Sequence, residues 1–306
     1  MLSSFFSKSK PINYIIIALY MAMLFGLFQF KKGFPLQKDH IFLLLINLIA
    51  YISPILLLNL IAQKNDLTTK GTYTILLYSF LTAILPEALM NYQVLISNIF
   101  VLFGLRSVLH LRNEKHIKAK VFNASLLIGI ATLFYFWSIG FIILVFAGIF
   151  FFEPKNYRNW IIPLVGFAAI YIFANCFMLL FFDSFYTITN YVEPISLSFE
   201  EYFVRDRLFS IGVLSICILF FFSLYLIKFG RKPANSKTII KIIIIYLIVA
   251  IGVVLIVPNK NTSELIFVCA PLAIIATTYL EMEYHSLVKE INIWVFLFIP
   301  FLLLLL

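Results

Sequence analysis

Residues 159 to 182 read NWIIPLVGFAAIYIFANCFMLLFF, two dozen positions without a single Asp, Glu, Lys or Arg. A helix over that run is about 36 Å long at 1.5 Å per residue, which exceeds the ~30 Å hydrocarbon core of a bilayer. No soluble fold hides an element of this kind on every side more than once or twice. Here the pattern recurs along the whole chain. Apolar blocks cover 12–30, 41–62, 72–86, 93–109, 121–137, 139–152, 159–182, 208–228, 239–257, 263–281 and 291–306, and polar or charged clusters separate them. The blocks ending at Pro86 and Phe152 are short, and the pair from Val121 to Phe152 is divided only at Trp137-Ser138, as a tight hairpin or one kinked element.

Composition agrees with this reading. Of the 306 residues, 63% are apolar and only 12% are charged, against an apolar share of roughly 45–50% in soluble domains. Too few polar side chains remain to cover a soluble surface, so the expected fold class is all-α: a polytopic integral membrane bundle of about eleven transmembrane helices, forming a single domain over 1–306. The first run follows Lys8 and Lys10 like a signal peptide, but Ile12 to Phe30 is too long and has no small-residue cleavage site. It is expected to be an uncleaved first span. Cys176, Cys217 and Cys269 each lie inside an apolar stretch and have neither disulfide nor zinc spacing.

The net charge of +9 would suggest nucleic acid as a partner in a soluble protein, but the basic residues here sit in short connectors. With the N-terminus inside and eleven crossings, 17 of the 23 basic residues fall on the cytoplasmic side. Lys31, Lys32, Lys38, Arg205, Arg207 and Lys260 face the other way. This bias is the one the positive-inside rule requires, and it predicts an N-in, C-out orientation. No nucleic-acid partner is expected.

Three outer features carry chemistry. Glu87 follows Pro86 in the short turn LPEALMNYQ, where a carboxylate near hydrocarbon must be paired, snorkelled or aimed into a cavity. It serves either as a general base or as a residue favoured by the positive end of a helix. Lys31, Lys32, Lys38, Asp39 and His40 share the first outer loop, FKKGFPLQKDH. Basic residues on the disfavoured side suit an anionic headgroup, at about 1 kcal/mol each, or simply snorkel from the end of a span. Arg205, Asp206 and Arg207 close the largest outer connector, 183–207, whose SLSFEEYFVRDR interleaves apolar residues and charges as an interfacial amphipathic helix does. Two arginines suit phosphate recognition, or pair locally with Glu200, Glu201 and Asp206.

His40, His110, His116 and His285 are dispersed, which disfavours a membrane iron oxygenase, since that needs converging imidazoles. There is no phosphate loop, no G-x-S-x-G and no H-E-x-x-H, so no cofactor and no metal are expected. No ionisable residue lies clearly at mid-depth, which weakens an ion-coupled transporter.

From Leu85 to Phe167 the order of features resembles the polyprenyl-dependent glycosyltransferases of the GT-C type. These features are the outer Pro-Glu turn, LRSVLHLR at 105–112, a basic inner loop, FNASLLIGIATLFYFW at 122–137, and YRNW followed by IIPLVGF at 157–167. The resemblance implies transfer from a lipid-phosphate sugar, with Asp39 and Glu87 in the places of the family's outer acids. Its first outer loop is far shorter than is usual there. In that scheme Lys38, Arg205 and Arg207 hold substrate phosphate, and the partner is a membrane lipid, polyprenyl phosphate in particular. The opening FFSKSKPIN at 5–13 and the hydropathy profile also resemble an uncharacterised bacterial inner-membrane family associated with Bacteroidota. A non-enzymatic scaffold or subunit with a membrane-protein partner, and a lipid or solute transporter, are the alternative functions.

Overall fold

The computed structural model describes the chain except residues 1, 34–37, 69–70, 114, 188–191, 193, 230–233, 282–285 and 306. All regular structure among the described residues is helical. Nine helices there are long and apolar enough to cross a membrane. Two further apolar helical segments, Tyr73–Ala83 and Phe136–Phe152, are shorter. They lie where two of the eleven expected spans were placed. The single expected domain divides by its contacts into two compact units.

The first unit takes in Met1–Leu95, Phe199–Lys237 and Lys260–Leu306. Its helices are α1 (Leu2–Phe6), α2 (Pro11–Lys31), α3 (Lys38–Ile52), α4 (Pro54–Lys64), α5 (Tyr73–Ala83) and α6 (Pro86–Met90). Pro54 at the start of α4 breaks what is otherwise one crossing, because a proline interrupts the helical hydrogen-bond ladder. Every residue of α5 is buried. A helix that is apolar on all faces belongs inside a bundle.

Three ties fix the direction of α5. Asn13 Nδ2 donates to Thr72 Oγ1 at 3.0 Å, Tyr20 meets Phe80 edge to face at 5.5 Å, and Lys32 Nζ lies 2.9 Å from Glu87 Oε1. So α5 runs parallel to α2 and covers the same depth with far fewer residues. Eleven helical residues rise only about 16 Å, and the non-helical step at Ile84–Leu85 with α6 supplies the rest. Open backbone at such depth must be satisfied internally. Ser210 Oγ donates to Ile84 O at 2.6 Å and does so.

Across chain order the same unit adds α11 (Arg205–Phe229), α13 (Ile266–Leu280) and α14 (Ser286–Leu305). Thr277 near the end of α13 donates to Thr74 near the start of α5 at 3.1 Å, so these two central helices are antiparallel. Ser3 donates to Glu290 at 2.8 Å and Lys31 to Leu303 O at 3.0 Å, so α14 runs alongside α2 in the same sense. The surrounding helices turn large apolar side chains outward, among them Phe30, Leu219 and Ile227. That surface is stable in lipid and not in water.

The second unit takes in Ile96–Ser198 and Thr238–Asn259. It is built from most of α7 (Tyr92–Leu109), α8 (Ile117–Phe134), a 3-10 turn Phe136–Phe141 leading into α9 (Ile142–Phe152), α10 (Arg158–Phe182) and most of α12 (Ala234–Ile256). The open question at 121–152 resolves as a hairpin. Ser138 Oγ and Ala131 O both meet Ser97, and the far end of α9 returns to α7, where a Cβ on Gly148 would press on Val108 and Leu111. Two close approaches set α8 against α10. A Cβ on Gly166 would strike Ser125, and one on Gly129 would press on Ile170. Both pairs have the same sequence offset, so the two helices run parallel in a fixed register.

The connector 183–207 departs from expectation. Its described residues have no regular structure apart from a 3-10 turn at Glu200–Phe203, and α11 starts directly at Arg205. Instead of lying flat as an amphipathic helix, the segment pins Tyr202 inward to Glu264 and leaves Phe203 exposed. A specific buried hydrogen bond has overridden a weak amphipathic pattern.

Candidate functional site

One end of the first unit gathers charge. The last turn of α2, the first turns of α6 and α11, the turn at Thr262 and the end of α14 enclose a cavity of about 170 Å³. Phe28, Pro86 and Leu303 give it apolar walls, and Lys31, Lys32, Arg207, Glu87, Asp206, Ser210 and Thr262 give it polar ones. Four of the five charges have a local reason to be there. Lys31 and Lys32 sit at a helix C-terminus, and Glu87 and Asp206 lie in first turns, the positions the helix dipole favours for each sign.

The cations are held rather than loose. Lys32 Nζ pairs with Glu87 Oε1 at 2.9 Å, both side chains being partly exposed. Lys31 Nζ donates to Leu303 O at 3.0 Å and Arg207 Nη1 donates to Glu201 O at 2.9 Å. Donors fixed in this way present remaining N–H groups to a single anion without paying again for side-chain ordering.

Behind Thr262 lies a second layer. Glu264 is fully buried, and its Oε1 accepts from the Tyr202 hydroxyl and from Thr262 N–H at 3.2 Å. Its Oε2 accepts no hydrogen bond. Thr262 itself adopts the left-handed conformation, φ 72°, which a non-glycine residue takes only when its surroundings hold it there. Lys260 is buried beside this carboxylate, its Nζ 5.0 Å from the centre of the Phe199 ring. Burial pushes the Lys260 ammonium below the usual lysine range, while Glu264 and Glu201 pull it back. Sequence reading placed Lys260 on the outer face but gave it no role. The signal available was two opposite charges, Lys260 and Glu264, just before the apolar run LIFVCAP, in a chain that places few charges so near a span.

The residues singled out from sequence divide three ways. Glu87 and Arg207 line the cavity together. Arg205 is exposed at the first residue of α11 and lies outside the lining, because its neighbour at i+2 takes the inward direction. Lys38 and Asp39 open α3, and their side chains lie outside the described residues. Among the described residues, no three His, Cys, Asp or Glu side chains group to hold a metal ion.

A model for a family of unknown function matches residues 1–305. The chain belongs to the DUF6427 family. No curated protein and no solved structure matches it. Both compact units, the cavity and the Glu264 layer lie within the matched residues, so a functional reading of this DUF6427 member has to come from its own side chains.

Proposed function

We propose that this protein crosses a bacterial inner membrane eleven times, N-terminus inside, and engages a polyprenyl-phosphate-linked sugar or a similar phosphate-bearing lipid at the outer leaflet. The observation that carries the reading is the convergence of Lys31, Lys32 and Arg207 on one small cavity with apolar side walls. Phosphate offers the oxygens such donors bind, and Phe28 and Leu303 suit the first carbons of a lipid chain. The count of eleven gains support from α5, whose ends lie beside both ends of α2.

Size sharpens the reading. Enclosed pockets for whole ligands measure roughly 300–1,000 Å³, and about 170 Å³ suits a phosphate headgroup rather than a sugar together with its acceptor. Glycosyl transfer would require Glu87 to leave Lys32 and take a proton from an acceptor hydroxyl while Arg207 steadies the departing phosphate. Binding requires no such rearrangement, so lipid recognition is the primary reading and transfer the stronger version of it.

The test is retention of undecaprenyl phosphate by the purified protein in detergent, read by native mass spectrometry. Wild type is expected to retain it, and Lys31→Ala with Arg207→Ala is expected to reduce retention about tenfold, the scale of one lost charge-assisted hydrogen bond. Equal retention by the variant would overturn the reading. An unchanged lipid-linked glycan profile in cells carrying Glu87→Gln would remove the transfer version alone.

A further inference from the structure

The second unit holds a pocket of its own, remote in sequence from every residue that lines the charged cavity. Its volume is about 410 Å³, and it lies where α8 begins, lined by His116 and the first-turn residues Ile117, Lys118 and Ala119. Across it stand Glu153, Asn156 and Asn159, from the connector into α10 and the first turn of that helix. Both α8 and α10 are candidate membrane spans, so the pocket sits at the depth of lipid headgroups.

Its wall has two chemical halves. The start of α8 has no side-chain cap, and the first backbone N–H groups of a helix have no partner within it. Those N–H groups, the dipole of an 18-residue helix and the Lys118 ammonium all favour an anion. At α10 the case differs, because Asn156 Oδ1 and Asn156 O already accept from the Arg158 and Asn159 N–H groups at 3.3 and 3.0 Å. What α10 brings is an acceptor. Asn159 is 1% exposed, lines the pocket, and its Oδ1 accepts no hydrogen bond from the described residues. A buried acceptor left so is destabilising unless a donor arrives. Glu153, half-buried in the same wall, favours a cation.

Helix register shows that this juxtaposition is built in. Ser125 faces Gly166 and Gly129 faces Ile170, pairs with one common offset. Two turns back along the same faces, that offset sets Lys118 beside Asn159, and both do line the pocket. The close approach at Gly166 therefore fixes how far the anion-seeking end of α8 stands from the acceptor on α10.

We infer that this pocket binds a phosphate ester carrying a primary ammonium, the phosphoethanolamine group, with the phosphate on the α8 N-terminus and Lys118 and the ammonium donating to Glu153 and Asn159 Oδ1. An anion alone leaves Asn159 unsatisfied, and a quaternary ammonium has no N–H to give it. A membrane phospholipid or a free solute can supply the same group, and the test distinguishes them.

The experiment uses the full-length protein in nanodiscs of mixed phosphatidylethanolamine, phosphatidylcholine and phosphatidylglycerol, with co-ejected lipids identified by native mass spectrometry. Phosphatidylethanolamine is expected to be enriched roughly tenfold over phosphatidylcholine, the yield of one charge-assisted hydrogen bond. Glu153→Gln and Asn159→Leu are each expected to erase that enrichment, and Lys118→Ala to lower retention of all three lipids. Equal retention of phosphatidylethanolamine and phosphatidylcholine by wild type overturns the inference, as does enrichment that survives in Glu153→Gln. Should Asn159→Leu fail to fold, the partly exposed Glu153 position decides alone. Titration with soluble O-phosphoethanolamine assigns the source: displacement of the lipid marks a solute site, and undisturbed enrichment marks a lipid site. Lys31→Ala with Arg207→Ala is expected to leave the enrichment intact, which keeps this result separate from the cavity of the first unit.

Discussion

At Ile84 the helical ladder of α5 ends and the freed carbonyl meets Ser210 Oγ at 2.6 Å. Ser210→Ala removes that donor where the residue is buried, at a cost of about 1–3 kcal/mol. A lower thermal midpoint in detergent is the expected outcome, and Ser210→Thr is expected to recover most of it. Lys32 and Glu87 differ in kind, since both are partly open to solvent. Their coupling in a double-mutant cycle is expected to be only about 0.2–1 kcal/mol and to fade with added salt. The pair matters by placing charge at the cavity rather than by stabilising the fold. Sequence made Glu87 legible as a carboxylate too near hydrocarbon to be idle. Its partner was not legible, because Lys32 is far away in the chain and no local pattern encodes the contact. Glu264 escaped for the same reason, as its hydroxyl partner Tyr202 lies in a connector whose amphipathic spacing pointed to a different structure.

Among the elements, the α8–α10 pair has the narrowest tolerance. An alanine at Gly166 already brings its methyl against Ser125, and a larger side chain forces the helices apart. Gly166→Leu is expected to cost about 1–3 kcal/mol as overpacking, read as a lowered midpoint. The same substitution is also expected to lower phosphatidylethanolamine enrichment, because it moves Asn159 away from Lys118. The long spans themselves were plain from composition, since a run such as 159–182 has only one stable environment. Their pairing was not. Small residues such as Gly129 and Gly166 are also scattered through membrane helices that touch nothing in particular, and only the shared offset reveals an interface.

For the whole molecule the decisive quantity is orientation. The proposed topology is expected to make Ser198→Cys, in the connector before the Glu200–Phe203 turn, accessible to a membrane-impermeant maleimide from outside intact cells. Lys155→Cys, in the basic connector before α10, is expected to react only after permeabilisation. The reverse result would move the charged cavity of the first unit to the cytoplasmic side and end the outer-leaflet reading. Hydropathy gave the number of apolar blocks, while the gathering of helices from both ends of the chain into the first unit rests on long-range contacts such as Thr277 with Thr74.

The eleven residues of α5 also bear on how the protein is made. A segment this short and this thoroughly enclosed has little reason to partition into lipid when it leaves the ribosome, because spontaneous insertion favours about twenty apolar residues. Its antiparallel neighbour, α13, is synthesised nearly two hundred residues later. In the proposed topology α5 is therefore expected to complete its crossing after translation of most of the chain, with Glu87 carried across only once the later helices arrive. Nascent chains stalled before Ile266 would report this, with a cysteine at position 87 shielded from outside reagents until α13 is released.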